Sequence, residues 1–439
     1  MQAQVGSGVN VTADLESSFS IDDNKNLNRV SPGTTTNFET RLTFGIESET
    51  PRARVQLRTG GVLRFENAPD DDVSEFDDPF VIFSYGLDRP DSRLNASLRY
   101  RTNRITDTFL TDLDADFLED DLVTDTGVVD STSARLNYRF GIDSPIGGSF
   151  TIQRSERDYT GTTNPDLFDR TSDSARVEGI FRINPVATAR IIGTWGEYTA
   201  DDIELTTRDS SSVGAGLSYE FSPAMRFDGE IRSNEIETVE TIGFARITRN
   251  NTATSGFGRL TRDLPNGTIS GSIATEVNSL TSRTTVRADR TMETPGALFN
   301  IGVGVSESDT GDTSVIGSLD YVRELSTGIL TAGLDQSAVA NLEDEEVLRT
   351  QFSIAYLHEL TPSSGLDVGF ELARTDDIGL GDANEQTRTE FTLNYRRELT
   401  EDWDWTIGYR GRQSRQPGVD TATSNAILTT ISRSFSLRP

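Results

Sequence analysis

The stretch Tyr395–Tyr409 reads YRRELTEDWDWTIGY and has an apolar or aromatic residue at nearly every second position on both sides of a short polar break. Trp403 and Trp405, two of only three tryptophans, stand two residues apart, and each is followed by a polar residue. Because successive side chains of a β-strand point to opposite faces, this spacing predicts strands with one apolar and one polar face. The polar break predicts a tight turn between two such strands.

The same alternation runs along most of the chain. In the segments 8–21, 37–46 and 53–65, valine, leucine, isoleucine and phenylalanine alternate with charged, hydroxyl or amide residues. Hardly any stretch has the period of about 3.6 residues that indicates an amphipathic helix. The pattern predicts an all-β fold.

Prolines mark the breaks between the predicted strands, because proline cannot donate a hydrogen bond to a β-ladder. Eight of the 14 prolines lie in short breaks, five lie in or beside longer polar connections and one is terminal, so none is expected inside a strand. The five beside longer connections are Pro32, Pro69, Pro79, Pro165 and Pro417. Short and long connections alternate, which indicates a repeat of two strands with a period of about 30 to 42 residues.

This repeat predicts a transmembrane, antiparallel, up-and-down β-barrel of roughly 22 strands, within a range of about 18 to 24. The predicted strands are as long as those that cross a bilayer at a tilt, and closure leaves no unpaired strand edge in lipid. Short turns are expected on the periplasmic side and long acidic loops outside. We expect residues 1–439 to form a single barrel domain with no plug domain before the first strand, and with the signal peptide missing from this sequence.

The composition fits this architecture better than a soluble globule. Only 34% of the residues are hydrophobic and 25% are charged, and a barrel needs apolar residues only on its outer face. The net charge of −29 argues against nucleic-acid binding, because phosphate contacts require a basic surface. The absence of cysteine excludes disulfides and thiolate sites.

Aromatic residues are predicted beside the short turns, where amphipathic rings favour the headgroup level of a bilayer. The alternative is a set of ordinary strand aromatics under a soluble sheet. The predicted aromatic girdle comprises Tyr138, Phe140, Phe181, Tyr219, Phe221, Tyr321, Tyr356, Tyr395, Trp403 and Trp405.

Three features together resemble the β-barrel porin families of proteobacterial outer membranes. They are the opening strand followed by Asp22, Asp23, Asn24 and Leu27, the recurrent strand end YxREL(T/S), and the final strand AILTTISRSFSLRP. The final strand is similar to an outer-membrane assembly signal, although it ends in Arg-Pro rather than an aromatic residue. The resemblance implies an outer-membrane location in a Gram-negative bacterium, with the barrel assembly machinery, the lipid bilayer and lipopolysaccharide as partners.

Strand parity places many arginines on the polar, inward face, together with several acids. Arginine's planar fork suits carboxylate, phosphate or acidic-sugar contacts in a pore, and arginine–acid ion pairs that support the barrel wall are the alternative. The candidate lumen-lining residues are Arg54, Arg58, Arg93, Arg99, Arg101, Arg135, Arg139, Arg176, Arg182, Arg388, Arg396, Arg410, Arg412, Glu178, Glu220, Asp320 and Glu390, with Glu359 and Asp404 beside them.

Acidic residues concentrate in two predicted loops, Glu66–Asp78 and Thr111–Thr126. Asp112, Asp114 and Asp116 have the spacing that opens a calcium loop, but the turn glycine and the final bidentate acid of an EF-hand are replaced by phenylalanine and valine. A loosely bound calcium ion that bridges the loops to lipopolysaccharide is therefore the one cofactor hypothesis, against plain solvated loops. The segment 106–128 is the candidate pore constriction.

Catalysis is not expected. His358 is the only histidine, and its parity with Tyr356 places it at the lipid interface beside a short turn. A general base needs a nucleophile within hydrogen-bond reach, and none is indicated there.

Three functions remain open from the sequence. The first is a porin-like channel for hydrophilic solutes, including anionic ones, through an arginine-lined lumen. The second is an export conduit for an acidic polysaccharide. The third is a structural or adhesive surface protein with a blocked barrel and functional acidic loops. The oligomeric state is also left open.

Overall fold

The computed structural model describes residues 8–69, 72–105, 125, 127–340, 346–378 and 385–437. No helix in these ranges is long and apolar enough to cross a membrane. The described residues form 22 β-strands. The strands are β1 Gly8–Asp22, β2 Thr35–Glu49, β3 Ala53–Asn67, β4 Asp72–Arg89, β5 Ser92–Arg104, β6 Val128–Phe140, β7 Ile146–Thr160, β8 Arg170–Asn184, β9 Ala187–Ala200, β10 Thr207–Ser222, β11 Met225–Ile242, β12 Ala245–Leu264, β13 Gly267–Val277, β14 Ser282–Thr294, β15 Ala297–Ser308, β16 Thr313–Leu325, β17 Gly328–Ala340, β18 Glu346–Thr361, β19 Ser364–Asp377, β20 Gln386–Thr400, β21 Trp403–Arg415 and β22 Ala422–Leu437.

The sheet closes on itself. Each strand pairs antiparallel with the next along the chain, and β22 pairs back with β1 in a register that runs from Val11 opposite Leu437 to Asp22 opposite Ala426. Closure removes the free edges that would otherwise expose unpaired backbone groups in lipid. The predicted all-β, 22-strand antiparallel barrel is confirmed.

A buried polar network joins the first and last strands. The Asp22 carboxylate accepts hydrogen bonds from Ser424 Oγ at 2.7 Å and from Arg412 Nη2 at 3.0 Å. Asn24 Nδ2 donates to the Thr423 carbonyl at 2.9 Å. Because a charged group is stable in a buried position only when it is paired, this network fixes the seam of the barrel.

Contacts between distant strands identify the inner face. Arg176 of β8 lies 3.4 Å from Glu230 of β11, and Arg283 of β14 forms an ion pair with Glu346 of β18. Strands that are not neighbours can bring side chains together only across the barrel interior. The register then shows which residues of the remaining strands face inward, since directly opposed residues of an antiparallel pair share a face.

The outer face is apolar. Phe44 is 53% exposed, Val213 is 63% exposed and Val315 is 70% exposed, and all three lie on this outer face. An apolar surface of this extent is unfavourable in water and is the expected surface of a barrel in lipid.

All ten residues of the predicted aromatic girdle lie on the outer face, close to the short connections. Tyr138 stacks on Phe140 with ring centroids 6.0 Å apart, and Tyr219 meets Phe221 edge-on at 4.9 Å. Trp405 Nε1 donates a hydrogen bond to Thr429 Oγ1 at 2.9 Å. The indole therefore has its polar atom paired while its ring faces outward.

Two predictions are wrong in this part of the chain. The acidic stretch 66–78 was predicted to be a loop, and no proline was predicted inside a strand. Most of the stretch belongs to β3 and β4, and Pro79 lies inside β4. The register between β3 and β4 shifts at this point, and Asp78 has φ of 48°. A β-bulge leaves one residue unpaired, so the proline costs no ladder hydrogen bond.

Candidate functional site in the barrel interior

A polar cavity of about 770 Å³ lies inside the barrel, against β1–β7, β21 and β22. Among the described residues that line it, ten carry a positive charge and five carry a negative charge. The cavity wall is thus cationic although the whole chain is strongly acidic, with a net charge of −29. A concave, low-dielectric wall of one sign concentrates counterions, so this cavity favours anions.

A connected set of ion pairs lies at the cavity and beside it, and we call it the acidic clamp: Lys25, Glu39, Arg64, Glu66, Glu75, Asp77, Asp78 and Arg104. Arg64 is at its centre, only 2% exposed, and lies 3.0 Å from Glu39, 3.4 Å from Asp77 and 2.8 Å from Asp78. Lys25 pairs with Glu66 at 2.6 Å. The bulge at Asp78 turns neighbouring carboxylates toward the same guanidinium, and no pattern in the sequence indicates this bulge.

Six inward arginines of β2, β3, β5 and β6 lie at several levels of one side of the barrel, and we call them the arginine ladder: Arg41, Arg58, Arg99, Arg101, Arg135 and Arg139. The first four line the cavity, and the last two continue along β6. The register of β3, β4 and β5 places Arg58 level with Arg99, with Ile82 between them. On β6, Arg135 lies opposite residue 97 and Arg139 opposite residue 93. Levels two residues apart are separated by roughly 7 Å along a strand, so the ladder from residue 93 to residue 101 of β5 extends over roughly 27 Å.

The ladder arginines are exposed to the interior, and none forms an ion pair or side-chain hydrogen bond with a described residue. Arg54 and Arg93, on the same strands, differ because they pair with Glu47 and Asp88. Neighbouring unpaired cations repel one another, and an anion between them relieves that repulsion. Guanidinium groups also present paired N–H donors that match carboxylate and phosphate oxygens.

Arginines on the facing wall are mostly neutralised by acids of the same wall. Arg190 lies 3.0 Å from Asp228, Arg232 lies 3.0 Å from Glu230, and Arg287 lies 2.6 Å from Asp289. Between these pairs the inner face is made of serine and glycine, for instance at positions 210, 212, 214 and 216 of β10. Among the described residues, inward arginines without an ion-pair partner are thus most numerous on β2–β6, and Arg259 of β12 and Arg396 of β20 are others.

The remaining candidate lumen residues lie on the inner face but play different parts. Arg176 contacts Glu178 and Glu230, and Arg182 donates to the carbonyls of Gly141 and Ser144 beside a short connection. Three of them are buried on the inner face: Arg388, Glu390 and Arg412. Arg410 lies 3.9 Å from Asp22. The others are exposed on the inner face: Arg396, Glu220, Asp320, Glu359 and Asp404. The predicted set of lumen residues omitted Arg41, Arg64, Arg104 and Lys25, although parity already placed Arg41 and Arg64 on the polar face.

The predicted calcium ligands and pore constriction fall outside the part of the chain that the structure describes. These are Asp112, Asp114 and Asp116, and nearly all of the segment 106–128. Within the described residues, no group of three or more histidines or acids is arranged to hold a metal ion. His358 lies on the outer face, where its Nδ1 is 2.9 Å from the Tyr356 hydroxyl and 3.4 Å from Thr327 Oγ1.

No protein-family model matches the sequence, and no curated protein matches it either. Solved structures do match. The ferric-catecholate import receptor Fiu from E. coli aligns with a TM-score of 0.58 at 11% identity, over 99% of this chain and 82% of the receptor. A variant of the ferric enterobactin receptor PfeA from Pseudomonas aeruginosa aligns with a TM-score of 0.59 at 11% identity, over 98% of this chain and 82% of that one. The FrpB iron transporter from Neisseria meningitidis aligns with a TM-score of 0.60 at 8% identity, over 98% of this chain and 83% of that one.

The chain has the barrel fold of these outer-membrane receptors. At this level of identity the likeness shows the fold and not the cargo. A closed barrel of this size with an apolar outer face is the architecture of the Gram-negative outer membrane, and the protein is an outer-membrane barrel. The more specific resemblance to porin families is not supported by any family model or curated sequence match.

Proposed function

We propose that this barrel carries anionic solutes across the outer membrane along the arginine ladder. The observation that carries the proposal is the set of six inward, exposed arginines without a described partner, at several levels of one wall. A role in transport also agrees with the names of its structural neighbours, which include an import receptor and an iron transporter.

The ladder has the properties that conduction requires. A conducting site must bind its solute firmly enough for entry and weakly enough for exit, and several weak sites in series meet both needs. Each rung is an exposed arginine in a wet lumen, where a single ion pair is worth about 0 to 1 kcal/mol. An anion that leaves one rung meets the next within roughly 7 to 14 Å, so no single deep minimum holds it.

Export of an acidic polysaccharide is the second candidate, and the length of the ladder favours it. A ladder of roughly 27 Å exceeds what one small solute can occupy, and a polyanion would contact several rungs at once. The two candidates use the same wall and differ in the size of the anion.

Swelling of proteoliposomes tests the proposal. Gluconate and glucose are similar in size and differ in charge, so the ratio of their entry rates reports charge preference rather than pore width. The wild-type barrel is expected to admit gluconate faster, and the variant R58Q/R99Q/R101Q/R135Q is expected to lose that preference.

The matched control is R89Q/R246Q/R262Q/R397Q, which removes the same formal charge from four arginines that register places on the outer face. It should keep the wild-type ratio. Equal entry of both solutes into wild-type vesicles, entry of neither, or loss of the preference in the control as well would overturn the proposal.

A further inference from the structure

A groove of about 320 Å³ lies on the outer face of the barrel, between β14, β15 and β16. Its walls are Met292, Pro295, Ala297, Phe299 and Tyr321, and Arg323 stands at its edge. Phe299 and Tyr321 meet edge-on with ring centroids 6.1 Å apart and form one side. The small side chain of Ala297, directly opposite Arg323 in the register, leaves the floor open.

The groove has one apolar part and one cationic end. The Arg323 side chain is exposed and forms no ion pair or hydrogen bond with a described residue. An arginine of this kind, beside an aromatic ring at a bilayer interface, is placed to hold its charge at headgroup level while its stem covers apolar surface.

The groove lies at the end of the barrel that has the short connections, beside the connections 295–296 and 326–327. In outer-membrane barrels these short turns face the periplasm. Lipopolysaccharide occupies the opposite leaflet, so the molecule available at this level is a phospholipid. An apolar groove that ends in an unpaired cation is complementary to a lipid with a negative headgroup and an acyl chain.

We propose that this groove is a binding site for an anionic phospholipid of the periplasmic leaflet. The phosphate pairs with the Arg323 guanidinium, and an acyl chain lies along Phe299, Tyr321 and Met292. The site is independent of the arginine ladder, because Arg323 and the ladder lie on opposite faces of the wall.

The strand-end repeat supplies a comparison for this site. Arg262, Arg323, His358 and Arg397 occupy the same outward position in the segments LTRDL, YVREL, YLHEL and YRREL. Arg262 is flanked in the register by Met225 and Ile269, whose side chains are larger than that of Ala297. Arg262 therefore supplies a matched control that has the charge without the open floor.

Native mass spectrometry of the detergent-purified barrel, titrated with phosphatidylglycerol or phosphatidylethanolamine, tests the site. Wild-type protein should retain phosphatidylglycerol in preference to phosphatidylethanolamine. The R323Q variant should bind phosphatidylglycerol about fivefold more weakly, the effect expected of one basic residue at a membrane surface, and R262Q should bind as wild type does.

A second variant separates the groove from the charge. A297F keeps Arg323 and fills the floor, so it should also lose the bound phosphatidylglycerol. All variants are first checked for wild-type heat-modifiable migration on gels, so that loss of binding is not loss of folding. Unchanged binding in R323Q or in A297F, or an equal loss in R262Q, would overturn the proposal.

Discussion

At the scale of single residues, arginine has two roles in this barrel, and the partners of each arginine decide which role it has. Arg64 is almost completely buried among three carboxylates, whereas Arg58, on the same strand and the same face, is exposed and has no described partner. A buried charge is costly unless it is paired, and an exposed charge in water is not. Arg64 therefore supports the wall, and Arg58 remains free to meet a solute.

This contrast predicts that Arg64→Gln lowers the free energy of unfolding by about 3 kcal/mol or more, because Glu39, Asp77 and Asp78 lose their buried partner. Arg58→Gln should change it by less than about 0.5 kcal/mol. Urea unfolding in lipid vesicles, followed by tryptophan fluorescence, measures both. Similar losses in the two variants would show that burial does not separate their roles.

The face of each arginine could be predicted from the sequence, but its partners could not. Parity depends only on local alternation, so it correctly separates Arg58 and Arg99 from the outward residues. Pairing depends on strands that are distant in sequence: Arg283 and Glu346 are 63 residues apart, and three strands lie between the strands that carry them. The bulge that turns Asp78 toward Arg64 is likewise a product of the register between β3 and β4.

At the scale of elements, the alternating strand is the unit that the sequence specifies best. The hairpin β20–β21 has Tyr395, Trp405 and Ile407 on its outer face and Arg396, Asp404 and Thr406 on its inner face, as the period of two predicts. Prediction fails at the acidic stretch before Pro79, because acids and proline usually mark loops and only the pairing reveals a bulged strand.

The outward orientation of all three tryptophans predicts how their fluorescence is quenched. Trp195, Trp403 and Trp405 lie on the outer face, so brominated phospholipids should quench the fluorescence of the reconstituted protein strongly. Iodide, which reaches the aqueous lumen, should quench it weakly. Single-tryptophan variants assign the signal to each strand, and stronger quenching by iodide at any of the three would place that tryptophan in water.

At the scale of the whole molecule, the barrel separates its charges by location. The chain is strongly acidic, yet the interior cavity has twice as many cations as anions among its described lining residues, and most inward cations without a described partner stand on β2–β6. A low-dielectric wall around a water-filled lumen strengthens the field of those cations. Ion selectivity should therefore follow the ladder rather than the net charge of the protein.

The most direct measurement is the reversal potential of single channels in a planar bilayer under a potassium chloride gradient. The reversal potential of the wild-type barrel should be shifted from zero toward the equilibrium potential of chloride. In R58Q/R99Q/R101Q/R135Q it should move back to zero or past zero toward the equilibrium potential of potassium. The outward control R89Q/R246Q/R262Q/R397Q should leave it unchanged. A cation-selective wild-type pore, no conductance in correctly folded protein, or equal shifts in the two variants would contradict transport along the arginine ladder.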